Sequence, residues 1–149
     1  MIRSVMQSPV GALTVCSDGG AIIGIRFGNL GDDEPDAVIS EAIRQLGEYF
    51  DGKRKSFELP LKPCGTPFQK SVWRALSDIP YGETRAYGDI AKSVGNEKAC
   101  RAVGMANNKN PIAIVIPCHR VIGADGSLTG YAAGTDIKKF LLELENNNK

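Results

Sequence analysis

Thr66-Pro67-Phe68-Gln69-Lys70-Ser71-Val72-Trp73-Arg74-Ala75-Leu76 is the stretch on which the reading of the fold turns. The Thr66 hydroxyl can cap a helix, Pro67 suits its first position, and Gln69 completes a Thr-x-x-Gln capping box. Phe68, Val72, Trp73, Leu76 and Ile79 recur at helical spacing as a buried stripe, and Pro80-Tyr81-Gly82 stops it. Just upstream, residues 59–65 carry two prolines, a glycine and no period, which reads as a linker. The chain is therefore expected to divide here into domains of about 1–60 and 66–149.

Outward toward the N-terminus, the first 27 residues read as strands. Residues 11–16 and 21–27 flank Ser17-Asp18-Gly19-Gly20, a β-hairpin pattern. After an acidic loop, Pro35 is placed to open a helix that carries Val38, Ile39, Ala42, Ile43, Leu46 and Tyr49 through Phe50.

Toward the C-terminus, two short helices are expected, over residues 85–94 and 97–107, with Gly95 in the turn and Asn96 as second cap. Helix, glycine turn, helix is the arrangement of a helix-turn-helix, which many small helical pairs share. Ile112 to Ile116 is an apolar run too short for a helix and reads as a strand ended by Pro117. A tight turn follows at 123–126, then a last helix over 136–145 with Ile137, Phe140, Leu141 and Leu144 inward, and a fraying tail. The fold class is α/β: a small sheet-plus-helix N-terminal domain, then a mostly helical one with the helix-turn-helix.

Composition narrows the chemistry. The chain has 149 residues and a net charge of +1, but residues 28–60 carry eight acids and four bases, whereas 85–120 carry six bases and two acids. That asymmetry points weakly to nucleic acid in the second half. No run approaches the ~20 apolar residues of a membrane span. The N-terminus has no signal-peptide core, so the expected location is cytoplasmic. Four scattered cysteines (Cys16, Cys64, Cys100, Cys118) and one histidine make neither a disulfide scaffold nor a zinc site.

That histidine, His119, directly follows Cys118, with Arg120 next. A cysteine nucleophile works as thiolate and needs a cationic or hydrogen-bonding neighbour. On an extended strand the two side chains would point to opposite faces, so they cooperate only if the chain coils or water bridges them. A buried structural cysteine beside a surface histidine is the plain alternative.

Ile116-Pro117-Cys118-His119-Arg120-Val121 resembles the active-site motif of the O6-alkylguanine-DNA alkyltransferases. Phe68-x-x-x-Val72-Trp73, residues 79–84, Arg101-Ala102-Val103-Gly104, Asn110-Pro111, Gly130-Tyr131 and Leu141-Leu142-x-x-Glu145 follow in that family's order and spacing. The resemblance covers residues 66–145 almost continuously.

It implies DNA repair by single, irreversible transfer of an alkyl group from guanine O6 to Cys118, with no cofactor. The family pattern makes His119 the base, acting through water, and Glu145 its orienter, with Asn110 fixing the geometry between helix and active-site strand. Arg101 would fill the gap left by a flipped nucleotide, on a minor-groove helix whose Ala99, Cys100, Ala102 and Gly104 are small. Tyr87 would help rotate the target phosphate and hydrogen-bond the base. Main-chain carbonyls of Cys118 and Val121 would read guanine, the Ala132 amide would donate to O6, and Tyr131 and Ala113 would line the alkyl pocket. The expected partner is double-stranded DNA, bound by a monomer. Two departures, Tyr131-Ala132-Ala133-Gly134 and Ala113, bear on which alkyl groups fit. The preferred alkyl group, and O4-alkylthymine as a second substrate, stay open. So do two rivals, a DNA-binding regulator and a cysteine hydrolase using Cys118, His119 and Glu145.

Overall fold

Alternating apolar residues build a three-stranded antiparallel meander, β1 (Ile2–Ser8), β2 (Gly11–Ser17) and β3 (Ile22–Phe27), in spatial order β1-β2-β3. A computed structural model describes residues 1–128 and 131–149. Leu13, Val15, Ile22 and Ile25 are buried in the sheet. Helix α1 (Ala37–Phe50) packs on it, burying Ile39, Ala42, Leu46 and Tyr49. Ile39 and Leu46 each contribute ~1.5–3 kcal/mol on burial. Pro35 does not open α1. Asp36 is the cap, its carboxylate accepting from the Ile39 amide at 2.9 Å and from the Ser17 hydroxyl, which leaves the proline just outside.

The chain falls into two units. The first is Met1–Cys64 with Pro111–Ala113 and Asn148, the second Gly65–Asn110 with Ile114–Asn147 and Lys149. The inclusion of Pro111–Ala113 in the first unit is not anticipated by a division in sequence alone. The Ile25 amide donates to the Pro111 carbonyl at 2.9 Å and the Ala113 amide to Ile25 at 3.1 Å, so the segment adds a bridge to β3.

In the second unit, α2 (Pro67–Ser77) has the expected capping box. The Gln69 amide donates to the Thr66 hydroxyl at 3.1 Å, and the Thr66 amide to the Gln69 side chain at 2.9 Å. Val72, Trp73 and Leu76 are buried, and the Trp73 indole donates to the Ala106 carbonyl at 2.9 Å. The first short helix begins late. Arg85–Ala86 form a two-residue strand, β4, parallel to β5 (Val121–Ile122), so α3 spans only Tyr87–Ser93. Helix α4 likewise starts at Cys100 and runs to Asn108. Asn96 does not cap it; its side chain closes a local turn onto the Lys98 amide at 3.2 Å.

The apolar run before Pro117 is not a strand. Beyond the bridge at Ile112, Ile114 takes φ 72°, a left-handed conformation that is strained for a β-branched residue. Helix α5 (Thr135–Asn148) outlasts its expected end. The residue beyond it, Lys149, packs so closely on Gly82 that a Cβ there would stand 2.9 Å from the lysine's own Cβ. The α5 face also differs from the apolar periodicity. Its buried residues are Lys138, Leu141 and Glu145, while Phe140 is 37% exposed. Gly130, of the Gly130-Tyr131 pair, lies outside the described residues.

Candidate functional site

Cys118 opens a single 3-10 turn, Cys118–Arg120, entered through Pro117 at φ −82° and ψ 65°. The Cys118 amide donates to Ile116 at 2.8 Å, the Arg120 amide to Pro117 at 3.0 Å, and the Val121 amide to Cys118. The coil removes the strand's alternation, so Cys118, His119 and Arg120 are all buried.

His119 is fully buried, and its Nε2 lies 2.6 Å from Glu145 Oε2. Glu145, 1% exposed, also receives Arg120 Nε at 2.8 Å and Nη2 at 3.1 Å. The third guanidinium nitrogen donates to the Ile79 carbonyl at 2.7 Å, and the group lies 5.7 Å from the centre of the Tyr81 ring. Burial alone would raise the Glu145 carboxyl, but its bonds and charges with His119 and Arg120 outweigh that and hold it at about 2. Glu145 is therefore an anion, and as an acceptor it requires the hydrogen on His119 Nε2. Burial pushes His119 below the ordinary imidazole value, against the pull of Glu145, and favours the neutral ring. His119 Nδ1, with no hydrogen-bond partner among the described residues, is left as the basic nitrogen.

Burial raises the Cys118 thiol. Working against it are a hydrogen bond from Asn110, the charge of Lys138, the cysteine's own backbone and a hydrogen bond with Tyr131. The resting site thus holds a thiol that needs a base, surrounded by groups that favour the thiolate. The Asn110 amide also donates to the Ile116 carbonyl at 2.8 Å, holding the loop before the nucleophile. Tyr87, half-buried at the start of α3, has its phenol raised first by burial and then by the charge Cys118 carries as thiolate.

The other expected residues divide by exposure. Arg101, Cys100 and Ala102 are exposed, while Val103, Ala106 and Asn107 of α4 are buried; Ala99 and Gly104 are half-buried. Arg101 makes no ion pair among the described residues. Val121 and Tyr131 are buried and Ala132 is exposed. Ala113, 7% exposed, groups with the first unit. Both carbonyls expected to read guanine already accept protein donors: Val121 from Lys138 Nζ, Cys118 from the Val121 amide and from Asn107 at 3.3 Å.

Lys138 and Asn107 were not legible as site residues. Lys138 is fully buried with its ammonium 6.0 Å from the Tyr131 ring centre, and burial pushes its pKa down. The available signal was spacing: Lys138, Leu141 and Glu145 share a helical face once charged residues are counted as inward.

Residues 67–147 match the family described as 6-O-methylguanine DNA methyltransferase, DNA binding domain, and residues 1–63 the ribonuclease-like domain of the same name. A Methanosarcina acetivorans protein named methylated-DNA--protein-cysteine methyltransferase is 54% identical over 99% of both chains. One of the same name from Mycobacterium leprae is 46% identical over 95% of this chain and 90% of its own. Among solved structures, Mycobacterium tuberculosis OGT in complex with DNA matches at a TM-score of 0.91 and 45% identity, over 98% of this chain and 93% of that one.

Proposed function

This chain belongs to the 6-O-methylguanine DNA methyltransferase family, and from that premise we propose that it repairs DNA by moving an alkyl group from guanine O6 onto Cys118. The observation that carries the assignment to Cys118 is the buried Cys118–His119–Glu145 arrangement, with Arg120 fixing the charge of the carboxylate.

In the reaction, His119 Nδ1 takes the thiol proton through a water molecule, and Glu145 stabilises the imidazolium that forms. The sulfur attacks the alkyl carbon. A carbon–sulfur bond forms as the carbon–O6 bond breaks, and its electron pair leaves with guanine, which regains a proton. Donors around the sulfur, from Asn110, Tyr131 and Lys138, stabilise the developing thiolate. The product is a thioether, so each molecule acts once and needs no cofactor.

The target is buried in duplex DNA, so its nucleotide leaves the stack at a cost of a few kcal/mol. On this reading α3 and α4 form the helix-turn-helix, α4 enters the minor groove, and Arg101 occupies the vacated space. Tyr87 guides the rotating nucleotide, and Tyr131 and Ala132 belong to the alkyl and base pocket. On the same reading the chain works as two domains, about 1–60 and 66–149, and as a monomer. The four free cysteines suit a reducing compartment such as the cytoplasm.

Intact-mass analysis after incubation with duplex containing O6-methylguanine tests this. One methyl group per chain is expected, mapped to Cys118, and none on Cys118→Ser, which still binds DNA. Label on Cys16, Cys64 or Cys100, or continued turnover of an ester or amide substrate, refutes it.

A further inference from the structure

Met105 stands in the middle of α4 and is 67% exposed, among large apolar side chains that are otherwise mostly interior. The buried stripe of this helix is Val103, Ala106 and Asn107, and Met105 lies outside it. At 3.6 residues per turn it lies one turn beyond Arg101, within roughly 40° of it around the axis, at the middle of the outward face. Its neighbours there are small or polar: Ala102, Gly104 and Asn108. The surrounding cations, Arg101, Lys98 and Lys109, make no ion pair among the described residues.

An exposed, flexible apolar side chain beside an unpaired arginine suits a groove whose walls are anionic and whose interior is flat and apolar. Apolar wedges, methionine among them, partly unstack base steps when minor-groove proteins bind. We infer that Met105 is such a wedge. Resting on the DNA-repair reading above, it enters the base step beside the target nucleotide and lowers the cost of flipping, while Arg101 fills the space left behind.

The two roles separate chemically. Arg101 contributes charge, whereas Met105 contributes buried apolar area, which does not depend on salt. Burying this side chain against the duplex corresponds to about a 10-fold effect.

The test compares Met105→Leu, which keeps an apolar body, with Met105→Gln, similar in length but polar, and Met105→Ala. Methyl-transfer rates are measured on duplex O6-methylguanine opposite cytosine, on the same lesion opposite a mismatch, and with free O6-benzylguanine. The wild-type protein, run alongside, must methylate itself on the duplex; failure there overturns the repair reading itself. Gln and Ala are expected to slow duplex repair about 10-fold, with Leu close to wild type. The defect should shrink opposite a mismatch and vanish with the free base, with thermal stability and the salt dependence of DNA binding unchanged. Gln matching the wild type, or an equal defect on paired and mismatched lesions, overturns the wedge. So does a defect that persists with the free base.

Discussion

Replacing Glu145 by glutamine keeps the side chain's shape and removes its charge, and the consequences follow from three distances. The carboxylate lies 2.6 Å from His119 and 2.8 and 3.1 Å from Arg120. Its carboxyl is held at about 2, against an ordinary value of 4.5. That difference corresponds to about 3 kcal/mol at neutral pH. The sign follows from the depression: the contribution is present above pH 4.5 and is lost as pH falls from there toward 2. Breaking a buried pair costs roughly 3–5 kcal/mol, because the guanidinium stays buried without its counter-charge. The two figures describe one interaction and do not add. Glu145→Gln is therefore expected to melt about 6–12 °C lower near neutral pH, and its melting curve should converge on the wild type's as pH drops through this window. Scanning calorimetry across pH measures both. In a methyl-transfer assay the variant should be slow, with DNA affinity within a few-fold of wild type. A variant with wild-type melting and a parallel pH profile would refute the charge argument. Equal losses of affinity and rate would make Glu145 structural.

Arg101→Ala should slow repair of a paired lesion strongly and change the reaction with free O6-benzylguanine little. A defect equal on paired and unpaired lesions, with a salt slope flatter by about one unit, would mark a simple phosphate contact. Lys138→Met removes a fully buried cation whose charge burial disfavours, but it also leaves the Val121 carbonyl without that donor at a cost of about 1–3 kcal/mol, so the two effects offset and thermal stability should change little. The rate–pH profile of methyl transfer should shift alkaline as Cys118 loses that charge, and an unshifted profile refutes the role. In Gly65→Ala, the new methyl would stand 2.4 Å from the Trp73 ring, whose indole anchors Ala106. A loss of about 1–3 kcal/mol is expected in denaturant unfolding, and an unchanged midpoint would mean the indole moves freely.

What was legible in the sequence was whatever local chemistry sets. The Thr66 capping box, the hairpin and the α2 stripe need only residues close in sequence. The misreadings occur where distant partners override local preference. Arg85–Ala86 would continue a helix but pair with Val121–Ile122. The run after Pro111 has strand composition, yet after one bridge to Ile25 it turns through a left-handed Ile114. Apolar residues alone orient helix α5 by Ile137, Phe140, Leu141 and Leu144, whereas its buried face carries a lysine and a glutamate. Both are charges taken inside because their partners, the Val121 carbonyl and the His119–Arg120 pair, lie far away in sequence. Apolar periodicity finds a helix that packs for stability and misorients one that packs for chemistry.

Helix α4 shows why the site needs that kind of packing. Its outward side carries Arg101 and Met105, and its inward side Val103, Ala106 and Asn107. From its last turn Asn107 donates to the Cys118 carbonyl, and just beyond it Asn110 donates to Ile116, so two amides grip the chain on either side of Pro117. The Trp73 indole fixes the same end through Ala106. The Asn107 amide is an imperfect fit, because its oxygen is buried with no hydrogen-bond partner among the described residues. An orphaned acceptor costs about 1–3 kcal/mol, which an aliphatic residue on this stripe would avoid. What the asparagine adds is a fixed connection from a nine-residue helix, about 13 Å long, to the backbone of the nucleophile. The outward face of α4 and the backbone of the nucleophile are thereby tied to one short helix. In a protein that reacts once, aim matters more than release, and a strained loop held by side-chain amides serves that end.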